Sequence, residues 1–257
     1  MRYLTIPTIL LPLCVLFFCQ PLQLFAQKGI AEESYTLAKK LYDDQLYDLA
    51  AEEFHQFAEQ RPESPQAANA LFMAGMSYFK LKKYPEAQKE FFTLILKFPE
   101  AKDLDQANYK IAECFEAQKN YEAAANSYRQ VQIFYPKSPL AEQALLRSAQ
   151  MYFNANRYEK TSEVIIEFFE LNPTSQFQGS ARLLLANALI ELEKYDRAQH
   201  ELDKILSMGE ADAIVANALL KKGNISFRLG HLTEAEDNLV KLTDKFDKKT
   251  QGNKSEL

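Results

Sequence analysis

The stretch from Leu71 to Glu100 reads LFMAGMSYFKLKKYPEAQKEFFTLILKFPE, and its landmarks recur every 37 residues on both sides of it. Residues with one side-chain carbon or none stand at this interval, at Ala38, Gly75, Ala112, Ala149, Ala186 and Gly223. A second column of small residues lies twelve positions further on, at Ala50, Ala87, Ala124, Thr161, Ala198 and Ala235. A fixed period of about 20 to 50 residues is typical of a solenoid, in which copies of one supersecondary unit stack on each other.

Each unit contains two amphipathic helical patterns separated by a short polar turn. In the second pattern Ala87, Phe91, Leu94 and Phe98 are spaced by four, three and four residues, which places them on one face of a helix. Helices this short are marginally stable alone in water, so each must bury its apolar face against its partner and the next unit. The sequence therefore predicts an all-α solenoid of six helix-turn-helix repeats, each with a first and a second helix.

The columns of small residues and the helix ends are both explained by the packing of the two helices of a unit. Small side chains let the two helices of a unit approach closely. Prolines follow the second helix of four successive units at one register, at Pro62, Pro99, Pro136 and Pro173. Because proline has no backbone N–H, it predicts the end of that helix, and Gly209 predicts a glycine cap in the fifth unit. Ser64 and Ser138, each followed by proline, predict N-caps of the next first helices.

These residues resemble the tetratricopeptide repeat. After Gly75, the family's aromatic, Ala, Phe and Pro positions are matched by Tyr78, Ala87, Phe91 and Pro99. The family's early tryptophan is replaced by Leu71, Asn108, Leu145, Arg182 and Leu219. The unit is three residues longer than the usual length of about 34, so we expect each first helix to start almost one turn early.

The resemblance implies a right-handed α-solenoid whose first helices line a concave groove. The longer units and their "YP.SP" junctions look like those of bacterial cell-envelope proteins, such as the Tol-Pal-associated periplasmic coordinator and the lipoprotein of the outer-membrane β-barrel assembly machinery. The predicted organisation is a secretory signal peptide at 1–26, a solenoid at 27–247 and a polar tail at 248–257. The predicted repeats span about 31–67, 68–104, 105–141, 142–178, 179–215 and 216–247.

The first 26 residues are apolar apart from a few polar side chains, and Arg2 carries their only charge, which is typical of a secretory signal. Cleavage after Ala26 predicts a periplasmic protein. Two alternatives remain open: lipidation at Cys19, which would hold the protein at the periplasmic face of the outer membrane, and an uncleaved anchor. Membrane association is expected only with the lipid or the anchor.

Enzyme motifs are absent from the sequence: it has no glycine-rich phosphate loop, CxxC, HExxH or GxSxG. His55, His200 and His231 lie in different units, so we predict no metal site and no cofactor. Cys114 is predicted to be a buried small apolar residue. The net charge of −5 gives no basis for nucleic-acid binding.

The surface of the first helices is the remaining candidate site. Side-chain amides can bond an extended peptide backbone, and aromatic rings supply contact area, although an aromatic stripe on a helix also packs against neighbouring helices. The candidate groove residues are Tyr35, Lys39, Tyr42, Asn69, Phe72, Met76, Phe79, Gln106, Tyr109, Glu113, Gln143, Gln150, Phe153, Asn187, Asn217 and Asn224.

The sequence therefore predicts a non-catalytic, exported scaffold of the bacterial cell envelope that binds a peptide or protein partner in this groove. The alternative is a lipid-anchored component of an outer-membrane protein assembly machine. The last helix also carries Leu239, Leu242 and Phe246 with no following unit to cover them, which predicts that this end docks either a partner or a second copy of the chain, the latter giving self-association through the C-terminal repeat.

Overall fold

A computed structural model describes residues 33–252 of the chain. The predicted signal segment 1–26, with Cys19, and the end of the predicted tail lie outside the described residues. The described residues form helices joined by turns and loops, without a β-strand among them. The prediction of an all-α repeat solenoid is confirmed.

The helices follow each other in first-helix and second-helix order, and we number them along the chain. Helix α1 covers 33–43 of the described residues. The others are α2 Tyr47–Gln60, α3 Ala67–Lys80, α4 Tyr84–Lys97, α5 Leu104–Ala117, α6 Tyr121–Phe134, α7 Ala141–Asn154, α8 Tyr158–Leu171, α9 Gln178–Glu191, α10 Tyr195–Ser207, α11 Asp212–Arg228 and α12 Leu232–Gly252.

The three additional residues lengthen the loop between repeats at 61–66, 98–103, 135–140 and 172–177. Helices α3 and α4 have 14 residues each, and the turn between them takes 81–83. The expectation that the first helices start almost a turn early is wrong for α3, α5, α7 and α9, whereas α11 begins at Asp212, three residues before the position equivalent to Ala67. Residues that precede a proline, such as Arg61 and Ser64, disfavour the helical conformation, so the chain stays out of the helix until Ala67.

The predicted serine N-caps are also wrong, and for the same reason. The residue before α3 is Gln66, whose side chain makes no capping hydrogen bond. Ser64 lies further upstream, where its Oγ accepts a hydrogen bond from the backbone N–H of Gln66 at 3.3 Å. Ser138 Oγ accepts one from Leu140 N at 3.0 Å. These serines stabilise the loop, in the manner of ST-turns, instead of the first turn of the helix.

The turn inside each repeat contains one residue in the left-handed conformation. The six residues with this positive φ stand at the 37-residue interval, at Gln45, Lys82, Lys119, Asn156, Glu193 and Gly230. After α3 the N–H of Lys83 bonds the carbonyl of Tyr78 at 2.9 Å, and the N–H of Lys82 bonds that of Phe79 at 3.0 Å. This is a Schellman motif, which satisfies carbonyl groups at the helix end and reverses the chain. Gly209, with φ 67°, follows the end of α10, as predicted.

The chain divides into two compact units, Met1–Ala107 and Asn108–Leu257, and the boundary lies within α5. In the first unit α3 packs against both α2 and α4, and Phe54, Leu71 and Phe91 are fully or almost fully buried. In the second unit each helix from α6 to α12 packs on the next. Its core holds large buried side chains, among them Tyr128, Leu145, Ile165, Phe168, Leu189 and Leu202.

The small residues stand where the helices of a repeat meet. Ala38, Ala112, Ala149 and Ala186 have no exposed surface, and Gly75 and Gly223 are buried. The two glycines differ in the space around them. A Cβ atom on Gly75 would lie 2.6 Å from Cε1 of the Phe91 ring, whereas one on Gly223 would lie 3.4 Å from the Leu239 side chain. Gly75 therefore sets how closely α3 and α4 approach.

Replacing Gly75 by alanine should lower the free energy of unfolding by about 1 to 3 kcal/mol, because the added methyl group overpacks the site against a fully buried ring. Gly223→Ala is the matched control in another first helix. It should be neutral or stabilising by up to about 1 kcal/mol, since alanine favours the helix and the added atom finds ordinary contact distances. Urea unfolding followed by circular dichroism measures both. A Gly75→Ala protein as stable as the parent would contradict this packing.

Candidate protein-binding surface

One aromatic column of the first helices packs against the second helix of the same repeat. The Tyr35 ring lies 5.7 Å from the Phe54 ring, and the Phe72 ring lies 5.6 Å from the Phe91 ring, in edge-on or tilted geometry. In the second unit Tyr109 is buried against another aromatic ring in the same way. Each of these rings contributes to the core of its repeat, which favours packing over binding for this column.

A second aromatic column closes the turn of the first, second and fourth repeats. The ring pairs are Tyr42–Tyr47 at 5.2 Å, Phe79–Tyr84 at 5.6 Å and Phe153–Tyr158 at 5.3 Å, all near perpendicular. The first member of each pair ends a first helix and the second begins the following helix. These rings are half-buried, so they hold the turn together and present one edge to solvent.

The side-chain amides, by contrast, lie on the exposed surface of the first helices. In the first unit Asn69 and Gln106 are exposed, and in the second unit Gln143 and Asn217 are exposed. Asn69 Oδ1 accepts a hydrogen bond from Tyr35 Oη at 2.5 Å, a contact between successive first helices. An amide carries donors and an acceptor, so an Asn69 that bonds through its oxygen keeps an NH₂ group to offer.

Gln106 and Asn217 are also oriented by local bonds. Gln106 Nε2 donates to Asp103 Oδ1 at 3.3 Å, and Asn217 Nδ2 donates to the Ala213 carbonyl at 2.9 Å, so these bonds engage the amide nitrogen and not the amide oxygen of each exposed side chain. The exposed amides thus present both donors and acceptors at one register of the repeat.

The other candidate residues have mixed environments. Lys39 and Asn224 are exposed, and Met76 is half-buried. Glu113 is paired with Lys110 at 2.6 Å, and Gln150 Nε2 donates to Asn154 Oδ1 at 3.0 Å. Asn187 Oδ1 is buried and has no hydrogen-bond partner among the described residues. The lysine and the exposed amides are therefore available to a partner, while Glu113 and Gln150 are already engaged.

A polar cluster in the second unit was missed by sequence reasoning. Glu116, which stands where four of the other five repeats have an aromatic residue and the fifth repeat has Ile190, accepts a hydrogen bond from Tyr128 Oη at 2.7 Å and pairs with Arg147 at 3.3 Å. Burial, together with the hydrogen bond to Glu116, raises the pKa of Tyr128 far above its ordinary value. The signal in the sequence was the departure of Glu116 from its own column. The cluster connects the third repeat to the fourth, and the Glu116 carboxylate has both Tyr128 and Arg147 as partners.

The described histidine and cysteine side chains, which could take part in catalysis or metal binding, lie in different repeats. Within residues 33–252 there is no cluster of three or more His, Cys, Asp and Glu side chains that could hold a metal ion. Cys114 is fully buried, and burial raises the pKa of its thiol to about 12, so the thiol stays protonated at neutral pH. His55 Nδ1 lies 2.9 Å from the carboxylate of the buried Glu90, a contact between successive second helices.

Of the helices described, none is both long enough and apolar enough to cross a membrane.

Two family models match the sequence. The tetratricopeptide repeat model matches 35–103, 72–139 and 183–242, which together cover more than half of the chain. The YfiO model, described as an outer membrane lipoprotein, matches 106–208. No match was found among curated protein sequences.

Solved structures with helical repeats superpose on the chain at low sequence identity. A crystal structure of MamA has a TM-score of 0.55 and 15% identity, covering 69% of this chain and 96% of that one. BtubC (BKLC) from P. vanneervenii has a TM-score of 0.55 and 13% identity, covering 86% and 90%. MamA from Desulfovibrio magneticus RS-1 has a TM-score of 0.50 and 15% identity, covering 69% and 94%. These likenesses concern the fold alone.

Proposed function

The chain belongs to the tetratricopeptide repeat family, and from this premise we propose that it is a non-catalytic, exported scaffold of the bacterial cell envelope. Repeats of this family form protein–protein interaction scaffolds. We propose that the partner is a peptide or protein segment that binds on the face formed by the first helices.

The observation that carries this proposal is the set of exposed amides on the first helices. Asn69 and Gln106 in the first unit, and Gln143 and Asn217 in the second, occupy equivalent positions of the second, third, fourth and sixth repeats, and the fifth repeat has Ser180 there. An extended peptide presents alternating N–H and C=O groups, and side-chain amides can bond either of them. The packing of the repeats does not require these side chains, because they lie outside the core.

The half-buried aromatic rings have a supporting role in this proposal. Phe79 and Phe153 pack edge-on against Tyr84 and Tyr158, so their positions are fixed before a partner arrives. Rings held in this way lose little conformational freedom on binding. We therefore assign polar recognition to the amides and apolar contact to the exposed ring edges.

The envelope location is supported by the match of 106–208 to the outer membrane lipoprotein model and by the signal-like first 26 residues. The same match favours the alternative proposal, a lipid-anchored component of an outer-membrane protein assembly machine. In both proposals the protein acts on the periplasmic side. They differ in whether the chain is cleaved after Ala26 or carries a lipid on Cys19.

Intact mass of the protein isolated from bacterial envelopes separates these two proposals. We expect a chain that begins at Gln27 and stays with the soluble periplasmic fraction. In that case Cys19→Ser leaves both mass and location unchanged, as does the matched control Cys14→Ser. A chain that begins with a lipid-bearing Cys19 would support the anchored alternative, and retention of the full chain in the cytoplasm would contradict both.

Photo-crosslinking in intact cells tests the first-helix face. Replacing both Gln143 and Asn217 by alanine should reduce partner crosslinks about tenfold, because each lost hydrogen bond is worth about 0.5 to 1.5 kcal/mol. Asn69→Ala tests the first unit separately. Gln56→Ala and Gln130→Ala, exposed amides on second helices, are the matched controls. Equal crosslinking by the first-helix and control variants would show that the partner binds elsewhere.

We also propose that the C-terminal repeat mediates self-association. Leu239 is 42% exposed, whereas its equivalents in the five earlier repeats have no exposed surface. Those equivalents are Phe54, Phe91, Tyr128, Ile165 and Leu202. Phe227, Leu232 and Val240 extend the exposed apolar surface around Leu239. Each earlier position is followed by a further repeat, whereas the described residues leave Leu239 partly uncovered.

Sedimentation velocity over a range of protein concentrations tests self-association. We expect a concentration-dependent increase in sedimentation coefficient, and Leu239→Glu should abolish it because a carboxylate is not readily buried in an apolar contact. Leu96→Glu, at an exposed leucine of α4, is the control and should leave the increase intact. A parent protein that remains monomeric throughout would refute the proposal.

A further inference from the structure

A pocket of about 500 Å³ lies in the second unit among α8, α9 and α10. Ile166, Phe169, Leu185 and Leu189 form its apolar part. Its polar part comes from Arg182 on α9 and from a charged face of α10. None of the exposed first-helix amides lines this pocket. It is therefore a separate feature from the surface proposed above.

Arg182 occupies a position that four of the other five repeats use for their core, and the first repeat has the half-buried Ser34 there. The equivalent residues are Leu71, Asn108, Leu145 and Leu219, all of them buried. The Arg182 side chain is only 18% exposed. Because leucine fills this position in three other repeats, the stacking of the helices does not require an arginine. A charged group so nearly buried lowers stability unless it is paired, so the partners of its guanidinium decide what Arg182 does.

The guanidinium of Arg182 is held in place but is not fully bonded. Its carbon lies 4.4 Å from the centroid of the Phe169 ring, over which it stacks. Nη1 bonds Glu201 Oε2 at 2.6 Å, and Nη2 donates to Gln178 Oε1 at 3.4 Å. Nε is buried and has no hydrogen-bond partner in the part of the chain that the structure describes. The guanidinium is thus oriented by its contacts, and the described residues leave its Nε–H donor unsatisfied.

The charges around Arg182 leave the pocket positive. Glu201 pairs with Lys204 at 2.7 Å as well as with Arg182. Burial alone would raise the pKa of Glu201, but the hydrogen bonds and charges of Lys204 and Arg182 lower it below its ordinary value, so Glu201 is ionised at neutral pH.

At the rim, Arg197 and His200 are exposed on α10, with Asp196 beside them. Three cations (Arg182, Arg197 and Lys204) therefore face two carboxylates (Asp196 and Glu201), which gives a net charge of +1 with histidine neutral. The whole chain carries −5. A positive pocket on an acidic protein attracts anionic groups that the rest of the surface repels.

We propose that this pocket binds an acidic segment of a partner protein in which a bulky apolar side chain stands next to a carboxylate. The apolar side chain packs on Ile166, which is 43% exposed, and on the neighbouring leucines. The carboxylate pairs with Arg197 and lies within the positive field of Arg182 and Lys204. The inference goes beyond the first-helix surface, because it places a second binding site on residues that surface does not include.

Short synthetic peptides titrated into the purified full chain test the proposal. Ac-Gly-Glu-Phe-Glu-Gly-NH₂ should bind at least tenfold more tightly than the same peptide with Lys or Gln at both Glu positions, and more tightly than the peptide with Ala for Phe. Amide NMR shifts should concentrate at Ile166, Leu185 and Arg197. Binding should weaken with added salt, since exposed charges contribute.

Arg197→Glu is the decisive variant, because Arg197 is exposed and its replacement leaves the core intact. It should lower the affinity for the acidic peptide at least tenfold, and Arg197→Lys should retain most of it. Arg228→Glu, an exposed arginine of α11 outside the pocket, is the matched control and should have no effect.

Three results would overturn the proposal. The first is equal binding of the acidic and basic peptides, and the second is an equal loss with Arg197→Glu and Arg228→Glu. The third is an Arg197-dependent association with anionic lipid vesicles in place of the acidic peptide, which would identify a membrane surface as the occupant. These measurements do not depend on the crosslinking experiment at the first-helix face. Either proposal can therefore be refuted without the other.

Discussion

Close approach of the two helices within each repeat is the constraint on which the rest of the structure depends. Helices of 14 residues have little stability alone, so they persist by burying their apolar faces against each other and against the next repeat. Buried aromatic side chains such as Phe91 fit only because the facing position is Gly75. The two helices can approach this closely only with small residues at their contact and a left-handed turn between them. This requirement explains why both features recur without insertion along the array.

The sequence was sufficient to predict the helix pairs, the small columns and the ends of the second helices, since each depends on periodic apolar positions or on proline. The starts of the first helices were not predicted, because Ser-Pro reads equally well as an N-cap and as a loop. The local hydrogen bond of Ser64 and the restriction before Pro65 decide for the loop. The left-handed turn was also missed, because lysine, glutamine or glutamate occupies it in four of the six repeats and only Asn156 and Gly230 signal it.

The candidate surface was harder to predict than the fold, because a repeat pattern does not show which side of a half-buried side chain meets its neighbour. Tyr35 and Phe79 share a face with Asn69 in sequence terms, yet the rings turn toward the second helix while the amide stays exposed. Contacts between helices decide this orientation. Periodicity therefore identifies the face of the helix, and only the packing distinguishes its structural residues from those that can meet a partner.

Departures from the repeat pattern are informative when they are compared within the chain. Asn108 and Arg182 are both polar substitutes at a position where other repeats have leucine. Asn108 donates a hydrogen bond to Tyr135 Oη of its own repeat, so its polar group serves the fold. Arg182 stacks on Phe169 and pairs with Glu201, yet its Nε remains without a partner among the described residues. The same departure from the pattern thus has two outcomes: the polar group of Asn108 bonds within its own repeat, whereas that of Arg182 keeps one donor that the described residues do not satisfy.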